Sequence, residues 1–238
     1  MRRPQKGAGV ARDKVEFGAA MRSAVAGLKK SILLSMWTWS LNWGEITPQI
    51  LIGTCPMTKA DLERIVANTG VAAVLSVQHD DCLAYWDIDY AEIRIHGEHL
   101  GLRMRRCPMR DFDIPDQQRN LAQAVRALAD LQTNGHRTYV HCTAGLGRAP
   151  LTVLSYLVWI EGLLPDEAID LIHRGRPGAV PAWEAHHGCR KDFVERYRAR
   201  IEDRAYALWQ ARPRGPGDAQ SDWLRAELEI SRSVLLSL

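Results

Sequence analysis

Residues 138–160 constrain the fold of this chain more than any other stretch. Thr138-Tyr-Val-His141 reads as a short apolar strand, Cys142-Thr-Ala-Gly-Leu-Gly-Arg148 as a glycine-bearing loop, and Pro150 to Ile160 as a mostly apolar helix. A helix that is apolar on every side is a buried one. A strand running through a tight loop into such a helix belongs in the middle of an α/β domain with a largely parallel sheet.

The rest of the sequence fits that frame. Residues 49–53 (Gln-Ile-Leu-Ile-Gly) read as a strand closed by glycine. Thr58 opens a helix, with Asp61 where a capping box usually has Glu, and Gly70 ends it. Residues 71–77 are a continuous apolar run suited to a strand buried on both faces, and residues 103–107 are a weaker strand candidate. Residues 117–131 form an amphipathic helix with Leu121, Val125 and Leu128 on one face. Pro165-Asp-Glu starts another helix, and a long charged helix covers about residues 184–209. Arg212-Pro-Arg-Gly-Pro-Gly is a turn-rich linker, after which Ser221-Asp222 is expected to cap a last helix carrying Trp223 and Leu224. The expected organisation is a basic N-terminal extension (1–42), one domain (43–208), a linker (209–220) and a C-terminal helix (221–238).

Composition excludes several function classes. A net charge of +3 without dense basic clusters argues against nucleic acid as partner. No apolar run reaches the roughly 20 residues of a membrane span. Five scattered cysteines without a CxxC pair point to a reducing compartment. Eight Trp against three Phe suggest that some indole rings face a ligand or partner. Residues 1–30 carry eight Lys and Arg against Asp13 and Glu16, which fits either an organelle transit segment or a plain tail.

The loop at 142–148 has a direct chemical reading. Successive backbone N–H groups of Thr143, Ala144, Gly145, Leu146 and Gly147 can form an anion-binding nest, and the following helix adds the positive end of its dipole. Gly145 and Gly147 permit the backbone conformations that requires. Arg148 supplies a planar fork for two oxygens of one phosphate. The same surroundings favour a negative, nucleophilic sulfur at Cys142. His141 is expected to fix the loop through a backbone hydrogen bond rather than to act as a base. The plain alternative makes Cys142 a core cysteine and Arg148 a helix-start ion pair. In-line attack of sulfur on phosphorus also requires an acid for the leaving oxygen. Arg110-Asp-Phe-Asp113 is the best supplier, with Asp111 as the acid and Asp113 as a structural cap. No cofactor and no metal is called for.

With these residues in view, the chain resembles the cysteine-based dual-specificity phosphatases. Within them it is most similar to the glucan phosphatases of the starch-excess and like-starch-excess type, relatives of laforin. The resemblance rests on His141-Cys-Thr-Ala-Gly-Leu-Gly-Arg-Ala-Pro150, on Arg110-Asp-Phe-Asp113, and on Asp81-Cys-Leu-Ala-Tyr-Trp86 with its adjacent aromatics. It runs from about Trp43 to Arg200, and Ser221-Asp-Trp-Leu-Arg225 loosely resembles the C-terminal helix of the like-starch-excess members. It implies a central, mostly parallel sheet of about five strands flanked by helices, with a C-terminal helix packed on it. It further implies Cys142 as nucleophile, Arg148 as phosphate clamp, Asp111 as general acid, and Tyr85, Trp86 and Phe112 as sugar contacts. The implied partner is phosphorylated starch-like glucan, handled by a monomer in the plastid stroma or, alternatively, the cytoplasm.

Two departures from the wider family stand out. Ala149 follows the loop arginine where most dual-specificity phosphatases have Ser or Thr, a feature the starch-type members share. Arg176-Pro-Gly-Ala-Val-Pro181 lacks the aromatic or Lys of some relatives. Fewer than thirty residues follow Trp209, so glucan capture would rest on the domain's own aromatic rings. Trp37 and Trp39 are weaker candidates, Trp159 is expected in the core, and Trp209 and Trp223 are expected to staple the last helix. The rivals to a glucan phosphatase are a protein phosphatase with the same machinery and a non-catalytic glucan-binding scaffold.

Overall fold

The computed structural model describes residues 38–212 and 218–237. The basic tail, Trp37 and most of the Arg212 linker lie outside the described residues. From Ser40 onward the chain forms one unit.

Among the described residues, five strands build one sheet: β1 (Trp43–Thr47), β2 (Ile50–Gly53), β3 (Ala73–Gln78), β4 (Arg103–Met109) and β5 (Thr138–His141). Their spatial order is β1-β2-β5-β3-β4. All neighbours are parallel except β1, which returns antiparallel on β2. This outer strand is absent from the sequence reading, because Trp-Gly-Glu-Ile-Thr carries only one buried side chain, Ile46. The central strand is β5, as expected for a run in which every residue is buried.

The helices are α1 (Lys59–Thr69), α2 (Asp80–Tyr85), α3 (Tyr90–His99), α4 (Ile114–Thr133), α5 (Arg148–Tyr156), α6 (Pro165–Gly175), α7 (Trp183–Ala211) and α8 (Ala219–Leu236). Thr58 and Asp61 close a reciprocal capping box on α1, and Gly70 ends it with a φ of 64°. Along α4, Leu121, Val125, Leu128 and Leu131 are buried, each leucine contributing about 2 kcal/mol of apolar burial. The apolar helix α5 is buried along its whole length and runs on into one π turn, Leu157–Glu161.

The acidic segment around Asp81 forms the short helix α2, N-capped by the ring of His79. Two expectations are corrected. The last helix starts at Ala219 with Asp218 as its cap, so Ser221 and Asp222 lie inside it. Trp209 does not staple that helix: it is 57% exposed and stacks on Tyr206 at 5.6 Å. Helix α8 is held by its buried Ala226 and Leu235, with Arg190–Glu227 and Arg204–Glu229 pairing at its flank and Arg232 donating to the carbonyl of Ile160. Trp159 is buried and stacks on His186.

Candidate active site

Parallel pairing decides where the chemistry sits. Gly53 of β2 and Ser76 of β3 both lie in register with His141 of β5. The residues that follow each strand therefore meet at one edge of the sheet, where open α/β sheets hold their ligands. The loop 142–147 leaves β5 there, with Thr54-Cys55 on one side and Gln78 on the other.

The carbonyls of this loop are fastened one by one. His141 Nδ1 lies 2.9 Å from the Cys142 oxygen, and the Cys55 N–H donates to the Thr143 oxygen at 3.0 Å. Arg176 Nη2 donates to the Ala144 oxygen at 2.8 Å, and its Nε to the Gly145 oxygen at 3.2 Å. The Val180 N–H takes the Leu146 oxygen at 2.6 Å. Among the described residues, none of the N–H groups of residues 143–147 donates to another protein group. Gly145 holds a φ of +67°, and a Cβ on it would stand 2.4 Å from the Gly53 oxygen, so no other residue fits that place in the loop.

Cys142 sits at the base of the loop, 2% exposed. His141 is fully buried, and burial pushes its imidazole down to about 4 despite the hydrogen bond to the Cys142 carbonyl. It is neutral at pH 7, so its Nδ1–H donates to that carbonyl and shapes the loop.

Arg148 opens α5 and is 1% exposed. Its Nη2 donates to Asp111 Oδ2 at 2.9 Å and to Thr143 Oγ1 at 3.1 Å; its Nη1 donates to the Met109 oxygen at 3.0 Å and meets Cys82 Sγ at 3.5 Å. Its Nε is buried with no partner among the described residues. Burial opposes the guanidinium charge, but Cys142, Asp111 and Cys82 outweigh it, so the group is held above its ordinary value.

The structure thus brings Cys142, Arg148 and Asp111 together and separates the roles of the two neighbouring aspartates. Asp113 caps α4 by accepting the Asp116 N–H at 2.9 Å. Between them Phe112 takes a φ of +59°, a conformation a bulky side chain adopts only under local constraint, and its ring is 49% exposed. Tyr85 is 65% exposed and meets Trp86 edge to face at 5.3 Å. Helix α2, which ends at Tyr85, is pinned to the acid loop by Asp81–Arg110 at 2.6 Å.

Four contributors escaped the sequence reading. Gln78 Nε2 donates to Thr143 Oγ1 at 3.1 Å, Cys82 and the Met109 carbonyl touch Arg148, and Arg176 holds two loop carbonyls. Each lies more than 30 residues from its partner, so local spacing carries no trace of it.

Residues 57–187 match the family described as dual specificity phosphatase, catalytic domain. Residues 196–232, spanning the end of α7, the linker and most of α8, match a second family described as a protein of unknown function, DUF2934. The chain is 31% identical over 163 residues to the phosphoglucan phosphatase DSP4, amyloplastic, of Castanea sativa, a match covering 68% of this chain and 43% of that protein. It is 27% identical over 174 residues to laforin of Mus musculus, covering 66% of this chain and 51% of that one. The chain therefore spans about half the length of these relatives. The crystal structure of PTPMT1 superposes with a TM-score of 0.53 at 23% identity, over 68% of this chain and 99% of that one, a likeness of fold. With residues 57–187 matching that catalytic domain and its loop at the sheet edge, the chain belongs to the dual-specificity phosphatases.

Proposed function

We propose that this chain removes phosphate monoesters from starch-like glucan through a phosphocysteine. The observation that carries the chemistry is the set of donors left open around Cys142. With the carbonyls of residues 142–146 all engaged elsewhere, the amides of residues 143–147 remain for the phosphoryl oxygens. The buried Arg148 Nε joins them, since an unpartnered buried donor is costly unless a ligand takes it.

In the first step Cys142 Sγ attacks phosphorus in line. An S–P bond forms, the P–O bond to the sugar breaks, and Asp111 passes its proton to the departing sugar oxygen. Arg148 holds the equatorial oxygens with Nε and Nη2, the fork geometry that gains strength as charge spreads in the transition state. In the second step water attacks phosphorus and returns a proton to Asp111. The S–P bond breaks, and inorganic phosphate leaves with the thiolate restored.

The glucan part of the reading rests on exposed rings and on the relatives' names. Phe112 directly follows the acid, and Tyr85 closes a helix tied to the acid loop. A flat ring suits the apolar face of a pyranose. DSP4 is named as an amyloplastic phosphoglucan phosphatase. A plastid setting and action as a monomer follow the same reading. The deciding experiment compares phosphate release from phosphorylated amylopectin and from phosphotyrosyl and phosphothreonyl peptides at equal phosphate concentration. Preference for amylopectin supports the assignment, and clear preference for peptides refutes it.

A further inference from the structure

The two carbonyls at the tip of the phosphate loop depend on a single side chain. Arg176 reaches the Ala144 and Gly145 oxygens with Nη2 and Nε, and its third arm, Nη1, donates to Asn42 Oδ1 at 2.5 Å. Its own backbone is fixed at both ends: the Arg176 N–H donates to the Ile172 oxygen at 2.7 Å, and the Arg176 oxygen accepts the Ala179 N–H at 2.9 Å. Asn42 is fixed in turn, its N–H donating to Thr54 Oγ1 at 3.1 Å and its oxygen accepting the Thr54 N–H at 3.0 Å. The approach of β1 to this turn is close enough to require glycine, since a Cβ on Gly44 would lie 1.7 Å from the Gly175 oxygen.

We infer that Arg176 is a positioning residue for catalysis, gripping the tip of the phosphate loop from its outer side, with Asn42 as the stay that holds Arg176 in place. The inference rests on the phosphocysteine reading above.

A peptide unit whose carbonyl is held on one side keeps its N–H on the other. Release of the Ala144 and Gly145 oxygens frees those two peptide planes to rotate, and each rotation turns an amide away from the phosphoryl oxygens. Glycine at 145 makes the rotation sterically open, which is why an external tie is needed there. A planar fork of three separate donors meets the need, whereas the point charge of lysine cannot reach two carbonyls and Asn42 together.

Two variants remove the fork: Arg176→Lys keeps the charge, and Arg176→Gln loses it as well. The readouts are the orthovanadate inhibition constant and kcat and KM for para-nitrophenyl phosphate, with thermal melting to confirm folding. Arg176→Lys is expected to weaken vanadate binding and to lower kcat by about 10²-fold, the cost of misplacing catalytic groups by ~1 Å, with KM little changed. Arg176→Gln is expected to do the same. Asn42→Ala is expected to weaken vanadate binding about tenfold alone, the scale of one lost hydrogen bond to a charged group, and to add nothing in the Arg176→Lys background. Folded Arg176→Lys protein with wild-type vanadate affinity overturns the inference. So does an Asn42→Ala effect that persists in full in the Arg176→Lys background. Should Arg176→Lys fail to fold, wild-type vanadate affinity in Asn42→Ala overturns it. If Cys142→Ser retains turnover, the phosphocysteine reading falls; if Cys142→Ser is inactive and Arg176→Lys is indifferent, only the role of Arg176 falls.

Discussion

Arg148 Nη2 and Asp111 Oδ2 lie 2.9 Å apart. On the proposed mechanism a phosphoryl group entering the loop takes over the Arg148 fork and frees Asp111 to face the leaving oxygen, so that Asp111 competes with phosphate in the resting protein and assists it in the reaction. Asp111→Asn is expected to lower turnover of phosphoglucan by about 10²–10⁴-fold, the range for loss of a general acid. Para-nitrophenyl phosphate, whose leaving group needs little protonation, should lose much less. The same variant should bind inorganic phosphate more tightly than wild type in a calorimetric titration, and weaker binding would contradict the competition.

Arg148 itself tolerates no conservative exchange. Lysine keeps the charge but cannot serve Asp111, Thr143 Oγ1 and the Met109 oxygen while leaving a fork for phosphate. Arg148→Lys is expected to lower kcat by about 10³-fold or more, and to lower the thermal midpoint because buried acceptors lose their donor. Steady-state kinetics with an aryl phosphate and a melting curve check both.

Phe112 holds a strained backbone beside Asp111 with its ring half-exposed. Its φ of +59° costs a non-glycine residue about 1–3 kcal/mol. Phe112→Gly is therefore expected to raise stability to urea while lowering phosphate release from amylopectin, with para-nitrophenyl phosphate turnover largely kept. Loss of stability in that variant would show that the ring packs rather than presents. Asp113→Ala, by contrast, removes the cap of α4 and should cost about 1 kcal/mol of stability.

Two buried histidines make the fold acid-sensitive. Burial pushes both His141 and His186 down to about 4, from an ordinary value near 6.5. The unfolded chain binds their protons first as pH falls, so stability is fully present above about pH 6.5 and is lost progressively toward pH 4. Each contributes a slope of up to about 1.4 kcal/mol per pH unit in that window. Urea midpoints measured between pH 7 and 4.5 should fall accordingly, and His186→Asn should flatten the fall.

Much of this was legible in the sequence, for identifiable reasons. The loop from His141 to Arg148 lies within one local stretch, as do the capping box of Thr58 with Asp61 and the apolar face of α4, so spacing alone exposes them. The choice between Asp111 and Asp113 became geometric once α4 was seen to start at Ile114, which makes Asp113 its cap. What stayed hidden was either weakly patterned or distant. Strand β1 and helix α3 bury too few side chains to mark a period, α3 only that of Ile93. Arg176, Gln78 and Cys82 act on partners on other elements, so only the parallel register of β2, β5 and β3 reveals them. Trp209 was misjudged because an aromatic beside a linker suggests a staple, whereas Ala226 and Leu235 on α8 itself do the packing.

The most direct test is to expose Cys142→Ser and wild-type protein to phosphorylated amylopectin and follow both phosphate release and retention on the polymer. Phosphate release abolished with polymer binding unchanged is the expected result. Release continuing at an appreciable fraction of the wild-type rate in the serine variant would contradict a nucleophilic sulfur at this position.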